Sequence, residues 1–167
     1  VVFGASGGIG NAMVRSLAAQ DNITHVYAIS RRKVIFNHAK IISLADVDIT
    51  NESHLKETAK KIPDYIGLVV VATGILHNDN IQPEKSLRDL EFYTFQKVFA
   101  VNSFAPALIA KYFVPKMTKD EKSVFAALSA RVGSISDNYL GGWYTYRASK
   151  AALNMLLKTL SIETARQ

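Results

Sequence analysis

An α/β fold, a parallel sheet with crossover helices, is what this sequence predicts, and two observations predict it. Apolar runs rich in β-branched residues alternate with segments of helical periodicity along the chain, the beat of parallel strands joined by helices. A glycine cluster, Gly4-Ala5-Ser6-Gly7-Gly8-Ile9-Gly10, stands between the first apolar run and the first helical segment, where such folds turn from strand to helix.

Val1-Val2-Phe3 reads as a strand already under way, and Ile9, Met13, Val14 and Leu17 then form one helical stripe. Residues 24–29 are the second strand and residues 40–44 the third, closed by Asp46, Asp48 and Thr50. Residues 51–62 form a short amphipathic helix ended by Pro63, and residues 66–72 the fourth strand, a continuous apolar run. A long helical pattern covers residues 87–117, interrupted by Pro106 and Pro115. Pro106 has no N–H, so the carbonyl of Asn102 loses its helical partner and a kink is expected there. Residues 123–128 are the fifth strand, residues 129–143 a loop with Gly133, Gly141 and Gly142, and residues 144–167 a last helix with a small-then-large apolar face.

At 167 residues, 49% hydrophobic and 20% charged, the chain has the composition of one globular domain, residues 1–167, able to bury a core without metal or disulfide. It holds no cysteine, which excludes disulfide scaffolds, cysteine-ligated zinc and thiol nucleophiles. No metal site is expected. Twenty basic against 14 acidic side chains give a net charge of +6, scattered, with Arg31-Arg32-Lys33 the longest basic run. No nucleic-acid surface is expected from that, while an anionic ligand is accommodated. No window of eighteen apolar residues is free of charge, so a cytoplasmic protein without a membrane partner is expected.

The glycine turn has the chemistry of a phosphate cradle. Backbone N–H groups and the positive end of a helix dipole attract an anion, and glycine removes the side chains that would block it. The spacing differs from the usual dinucleotide fingerprint, and a tight turn without ligand is the other reading of a bare glycine cluster. Its place between a first strand and a helix favours a dinucleotide. Arg31 and Arg32 follow the second strand, where an acidic residue would bind the free ribose of NAD. Guanidinium groups pair with phosphate bidentately, so NADP(H) is expected over NAD(H).

A Tyr four residues before a Lys on a helix shares a face with it. Moving a phenol from about pH 10 to about 7 takes roughly 4 kcal/mol. One cation roughly 4 Å away supplies about that much at an effective dielectric of about 20. The pair then suits proton donation to a carbonyl oxygen as hydride arrives at its carbon, or the reverse. Three such pairs occur: Tyr93/Lys97, Tyr112/Lys116 and Tyr146/Lys150. Pro115 interrupts the second, and the first sits early in the long middle helix. Tyr146/Lys150 follows the glycine-rich loop after the fifth strand, and open α/β sheets bind ligands outside the carboxyl ends of their strands.

Together these residues resemble the short-chain dehydrogenase/reductase family, whose fold is a doubly wound parallel sheet of the Rossmann type. Gly4, Gly8 and Gly10 match its glycine motif, with Ser6 and Ile9 in the same turn; Asp48 and Ile49 match its adenine contact, and Ala72-Thr73-Gly74 its fourth-strand turn. Asn102 matches the helix asparagine, and Tyr146 and Lys150 the catalytic pair. The stretches Gly133-Ser134-Ile135, Gly141-Gly142-Trp143-Tyr144 and Tyr146-Arg147-Ala148-Ser149-Lys150 are most similar to the carbonyl-reductase subgroup. The resemblance implies an NADP(H)-dependent enzyme acting on a small carbonyl or alcohol substrate, as a homodimer or homotetramer, with Asn102 holding a water that relays protons from Lys150.

Two departures stand out. Val71-Ala72-Thr73-Gly74 replaces the family's Asn-Asn-Ala-Gly, and Ala130 occupies the place of its catalytic serine. Ser129 and Ser134 are both candidates for the hydroxyl that orients the carbonyl. Family members continue with further strands and substrate-covering helices, so a chain truncated at both ends is expected. With Ala130 in mind, a non-catalytic nucleotide-binding sensor or interaction module is the alternative function.

Overall fold

A computed structural model describes residues 1–166. Five strands, β1 (Val2–Phe3), β2 (Val26–Ile29), β3 (Ile41–Leu44), β4 (Leu68–Val71) and β5 (Val124–Ala127), hydrogen-bond as one parallel sheet in the order β3-β2-β1-β4-β5. Val2 stands opposite Ala28 on one side and Val70 on the other. The connections reverse direction between β1 and β4, and such a switch point opens a crevice beyond the carboxyl ends of the strands.

The helices are α1 (Gly8–Ala18), α2 (Glu52–Lys60), α3 (Phe92–Phe99), α4 (Ala105–Phe113) and α5 (Tyr144–Thr164). Backbone contacts group the chain into two compact units, Val1–Thr73 with Leu108–Leu128, and Gly74–Ala107 with the chain from Ser129 on. The whole sheet lies in the first unit; α3 and α5 lie in the second.

Within the first unit, successive residues of β1 face opposite ways. Val2 joins Ala5, Val14, Ala18, Val26 and Ala28 in one cluster under α1. Phe3 turns the other way, edge-on to Phe113 of α4 with ring centroids 5.1 Å apart. The expected stripe on α1 is rotated: Ile9 is 61% exposed, and the buried positions are Gly10, Val14 and Ala18. The cause is the closeness of the glycine turn. A Cβ at Gly10 would stand 2.2 Å from the carbonyl oxygen of Gly4, so the residue that faces β1 can carry no side chain.

The long middle pattern resolves into α3, a π-helical turn over Ala100–Phe104, and α4, with a 3-10 turn at Val114–Lys116. Pro106 explains the π-turn. The donor missing at residue 106 is accommodated by widening the ring, and the Ala105 N–H reaches the Ala100 carbonyl. The stretch Phe92–Lys116 has the length and, with a mean hydropathy of 1.3, the composition to cross a membrane. Within it Ile109, Ala110 and Phe113 are core residues, while Phe92 and Tyr93 are exposed.

Candidate active site

In the first unit, the chain leaves β1 through Gly4, at φ 88°, and enters α1 at Gly8. Gly4 is required by packing, since a Cβ would meet the Ala72 carbonyl oxygen at 2.9 Å. Gly8 is different: nothing lies within 4 Å of its Cβ position, and the residue is exposed. A helix residue with open space around it gains from a side chain, so glycine here has no packing cause. No side chain caps α1 at Gly7, and no acidic residue stands in its first turn. Its first N–H groups therefore lack helical acceptors and face solvent at the positive end of the dipole. The cradle fits a phosphate. Beside it, the Thr73 hydroxyl is buried without a hydrogen-bond partner, an orphan that a bound polar group would satisfy.

Arg31 and Arg32 are exposed after β2, their loop drawn in by the Ser30 hydroxyl donating to the Arg32 carbonyl at 2.6 Å. The sequence suggests nothing acidic beside them. In the fold β3 is the neighbour of β2, which brings Asp48 close to Arg31. Burial pushes the Asp48 carboxyl up, but hydrogen bonds from Thr50, with Arg31 and His54 nearby, outweigh it and hold the group below the ordinary carboxylate range. Asp48 Oδ1 accepts from both the N–H and the hydroxyl of Thr50, and Ile49 is 8% exposed.

In the second unit, Tyr146 and Lys150 stand one turn apart on α5. Lys150 is 3% exposed, with Nζ 5.8 Å from the centroid of the Tyr146 ring. The other two Tyr-Lys pairs are set differently. Tyr93 is 51% exposed, and the partners Tyr112 and Lys116 turn to Glu52 and Asp64 instead of each other. The expected lowering of the Tyr146 phenol is not what the structure shows. Burial pushes the phenol up and the Lys150 ammonium down, because desolvation disfavours both charged forms.

Asn102 anchors the surroundings of this pair. Its side chain accepts from the Ile75 N–H at 2.8 Å and donates to the Ile75 carbonyl at 2.9 Å and to Ser149 Oγ at 3.1 Å. Ser149 Oγ donates to the Tyr146 carbonyl at 2.8 Å, and Ser103 Oγ to the Ser149 carbonyl at 2.7 Å. The π-turn thus grips α5 at Ser149, the residue before Lys150. Gly74 lies against the same group: a Cβ there would stand 3.5 Å from Lys150 Nζ and 3.6 Å from Asn102 Oδ1. Gly133 lets its loop touch α5, since a Cβ would come within 2.8 Å of Lys150 Cβ.

The two candidate serines separate. Ser129 Oγ donates to Asn154 Oδ1 at 2.7 Å, eight residues from Tyr146 and so about 12 Å along the helix axis. Ser134, next to Gly133, pairs with the hydroxyl of Ser136 at 3.3 Å.

One feature of the site has no mark in the sequence pattern. Glu84, 3% exposed, accepts from the Thr145 N–H at 3.2 Å and from the Thr145 hydroxyl, while its own carbonyl accepts from the Trp143 N–H at 2.6 Å. A carboxylate from 61 residues away in sequence caps the helix that carries Tyr146. Among the described residues no three His, Asp or Glu side chains gather as a metal site needs.

The short chain dehydrogenase family model matches residues 1–167. C-signal of Myxococcus xanthus is 31% identical over 78 residues, 47% of each chain. The fold superposes on carbonyl reductase Sniffer of D. melanogaster with a TM-score of 0.87 at 21% identity, covering 98% of this chain and 74% of that one. It superposes on NADPH-bound carbonyl reductase from chicken fatty liver with a TM-score of 0.84 at 25% identity, covering 97% and 69%. The chain spans between about half and two thirds of the length of the curated relatives it matches. Its five-stranded parallel sheet with flanking helices has the Rossmann-like topology of these enzymes, and the chain belongs to the short chain dehydrogenase family.

Proposed function

We propose that the protein is an NADP(H)-dependent carbonyl reductase, with Tyr146 as the proton donor. The observation that carries this is the buried Lys150 amine 5.8 Å from the Tyr146 ring, on a helix gripped by Asn102, Ser103 and Ser149. Neither of the other two Tyr-Lys pairs has such a setting.

Gly4, Ser6, Gly8, Ile9 and Gly10 would hold the pyrophosphate, Arg31 and Arg32 the 2′-phosphate, and Asp48 and Ile49 the adenine, with Ala72, Thr73 and Gly74 along the riboses. The nicotinamide, when bound, supplies the hydride. Tyr146 then gives its proton to the carbonyl oxygen, and the Lys150 cation stabilises the phenolate left behind. The neutral phenol favoured by burial is the form that reduction needs. The hydroxyl that orients the carbonyl comes from Ser129 or Ser134, which hold Asn154 and Ser136 as their present partners. A water on the Asn102 carbonyl returns the proton to Lys150. The exposed apolar side chains of α3 and α5, among them Phe92, Met155 and Ile162, suit a homodimer or homotetramer.

The test is NADPH oxidation over a panel of aryl and aliphatic carbonyl compounds, with NADPH and NADH affinities measured alongside. Turnover with NADPH bound at least about tenfold more tightly than NADH is expected, as paired guanidinium groups favour phosphate. NADPH binding without turnover on any carbonyl would favour a nucleotide-binding sensor instead.

A further inference from the structure

Three consecutive residues leading into α5 are left-handed: Gly141 (φ 63°), Gly142 (φ 65°) and Trp143 (φ 51°). The glycines adopt this region freely; a bulky residue there is an outlier. Such outliers persist where surroundings over-determine them, and they gather at ligand sites. Here the surroundings are specific. The Trp143 N–H is held by the Glu84 carbonyl at 2.6 Å, and its carbonyl accepts from the Arg147 N–H at 2.9 Å. Arg147 Nε donates to the Gly142 carbonyl at 3.0 Å, and the buried Glu84 carboxylate fixes Thr145 on the other side.

The hold does not serve the core, because the indole stays 40% exposed. It stands edge-on to the Tyr146 ring, with centroids 6.3 Å apart and planes at 79°. In the preceding segment Tyr139 and Leu140 are 86% and 93% exposed, and residues 138–146 carry no charged side chain. We propose that Trp143, set by Glu84, is the specificity-determining wall of the substrate site and selects flat, apolar aryl carbonyl compounds. The proposal rests on Tyr146 being the proton donor and adds the substrate class.

Aryl ketone turnover and binding are read separately, with acetophenone and acetone as probes. Trp143→Gly removes the ring and suits the left-handed backbone; Trp143→Phe keeps an aromatic wall. In Trp143→Gly, kcat/KM for acetophenone is expected to fall about tenfold relative to acetone, mostly through KM, with Trp143→Phe restoring much of the ratio. Trp143 is the one tryptophan of this chain, and the emission difference between wild type and Trp143→Phe isolates its indole. Acetophenone should quench it saturably and acetone should not. An equal loss for both ketones in Trp143→Gly, or no saturable quenching, would overturn the proposal. Saturable quenching by a wild type that turns over neither ketone supports the aryl site and counts against hydride transfer.

Discussion

The N-termini of α1 and α5 pose the same electrostatic problem and meet it in opposite ways. Each helix begins without a side-chain cap of its own and without an acidic residue in its first turn, so each presents unmet N–H donors at the positive end of its dipole. At α5 the protein supplies the anion itself, the buried carboxylate of Glu84. At α1 it supplies none, and leaves Gly7 and Gly8 exposed. An end filled from within fixes a side chain, here Tyr146 two residues into the helix. An end left open is a place for an anion from outside. The difference separates a helix start closed from within from one left open.

The largest expected effect comes from unsealing α5. Glu84→Ala leaves the Thr145 N–H and hydroxyl buried without a partner and should cost about 3 kcal/mol, read by chemical denaturation; a loss under about 0.5 kcal/mol would show that the seal is incidental. Next, Gly10→Ala drives a methyl into the Gly4 carbonyl and should cost about 2 kcal/mol. Smaller, and of opposite sign, is Gly8→Ala. With open space at the Cβ position, the ligand-free protein should gain about 0.5–1 kcal/mol from helix propensity while its NADPH affinity falls. A stabilised variant that binds NADPH as well as wild type would break the comparison. Smallest in stability are Arg31→Ala and Arg32→Ala, each within about 0.5 kcal/mol, which should lower affinity for NADPH and leave NADH unchanged.

Proton linkage sharpens the same contrast. Burial holds the ligand-free Tyr146 phenol above its ordinary value, so the stability due to its neutral form is intact below about pH 10 and is lost as pH rises through the folded value. Phenolate absorbance of wild type minus Tyr146→Phe should therefore titrate above the ordinary tyrosine midpoint. A midpoint on the acid side would mean that the Lys150 ammonium outweighs burial before any ligand arrives.

Much of this was legible in the residues. Strand identity followed from the apolar runs, although the strands proved shorter, as with Val26–Ile29 inside residues 24–29, because only residues in the ladder count. The glycine turn was legible because a strand, four glycines and a helix follow each other locally. Position after the glycine loop sets Tyr146 apart from Tyr93 and Tyr112 in the sequence, and the burial of Lys150 sets it apart in the fold. Three features were not legible. The rotated face of α1 depends on how closely Gly10 approaches Gly4, a packing distance that periodicity does not encode. Pro106 implies a kink where the π-turn at Ala100–Phe104 stands, but the double hold of the Asn102 side chain on Ile75 needs the tertiary fold. Glu84 sits in a loop with no periodic neighbours, and nothing local announces that its carboxylate caps Thr145.

The central claim is that Tyr146 donates the proton. The measurement that tests it most directly is single-turnover NADPH oxidation by wild type and Tyr146→Phe at saturating nucleotide and ketone. A rate at least about a hundredfold lower in the variant, with NADPH affinity unchanged, is the predicted result. Equal rates in the two proteins would contradict it.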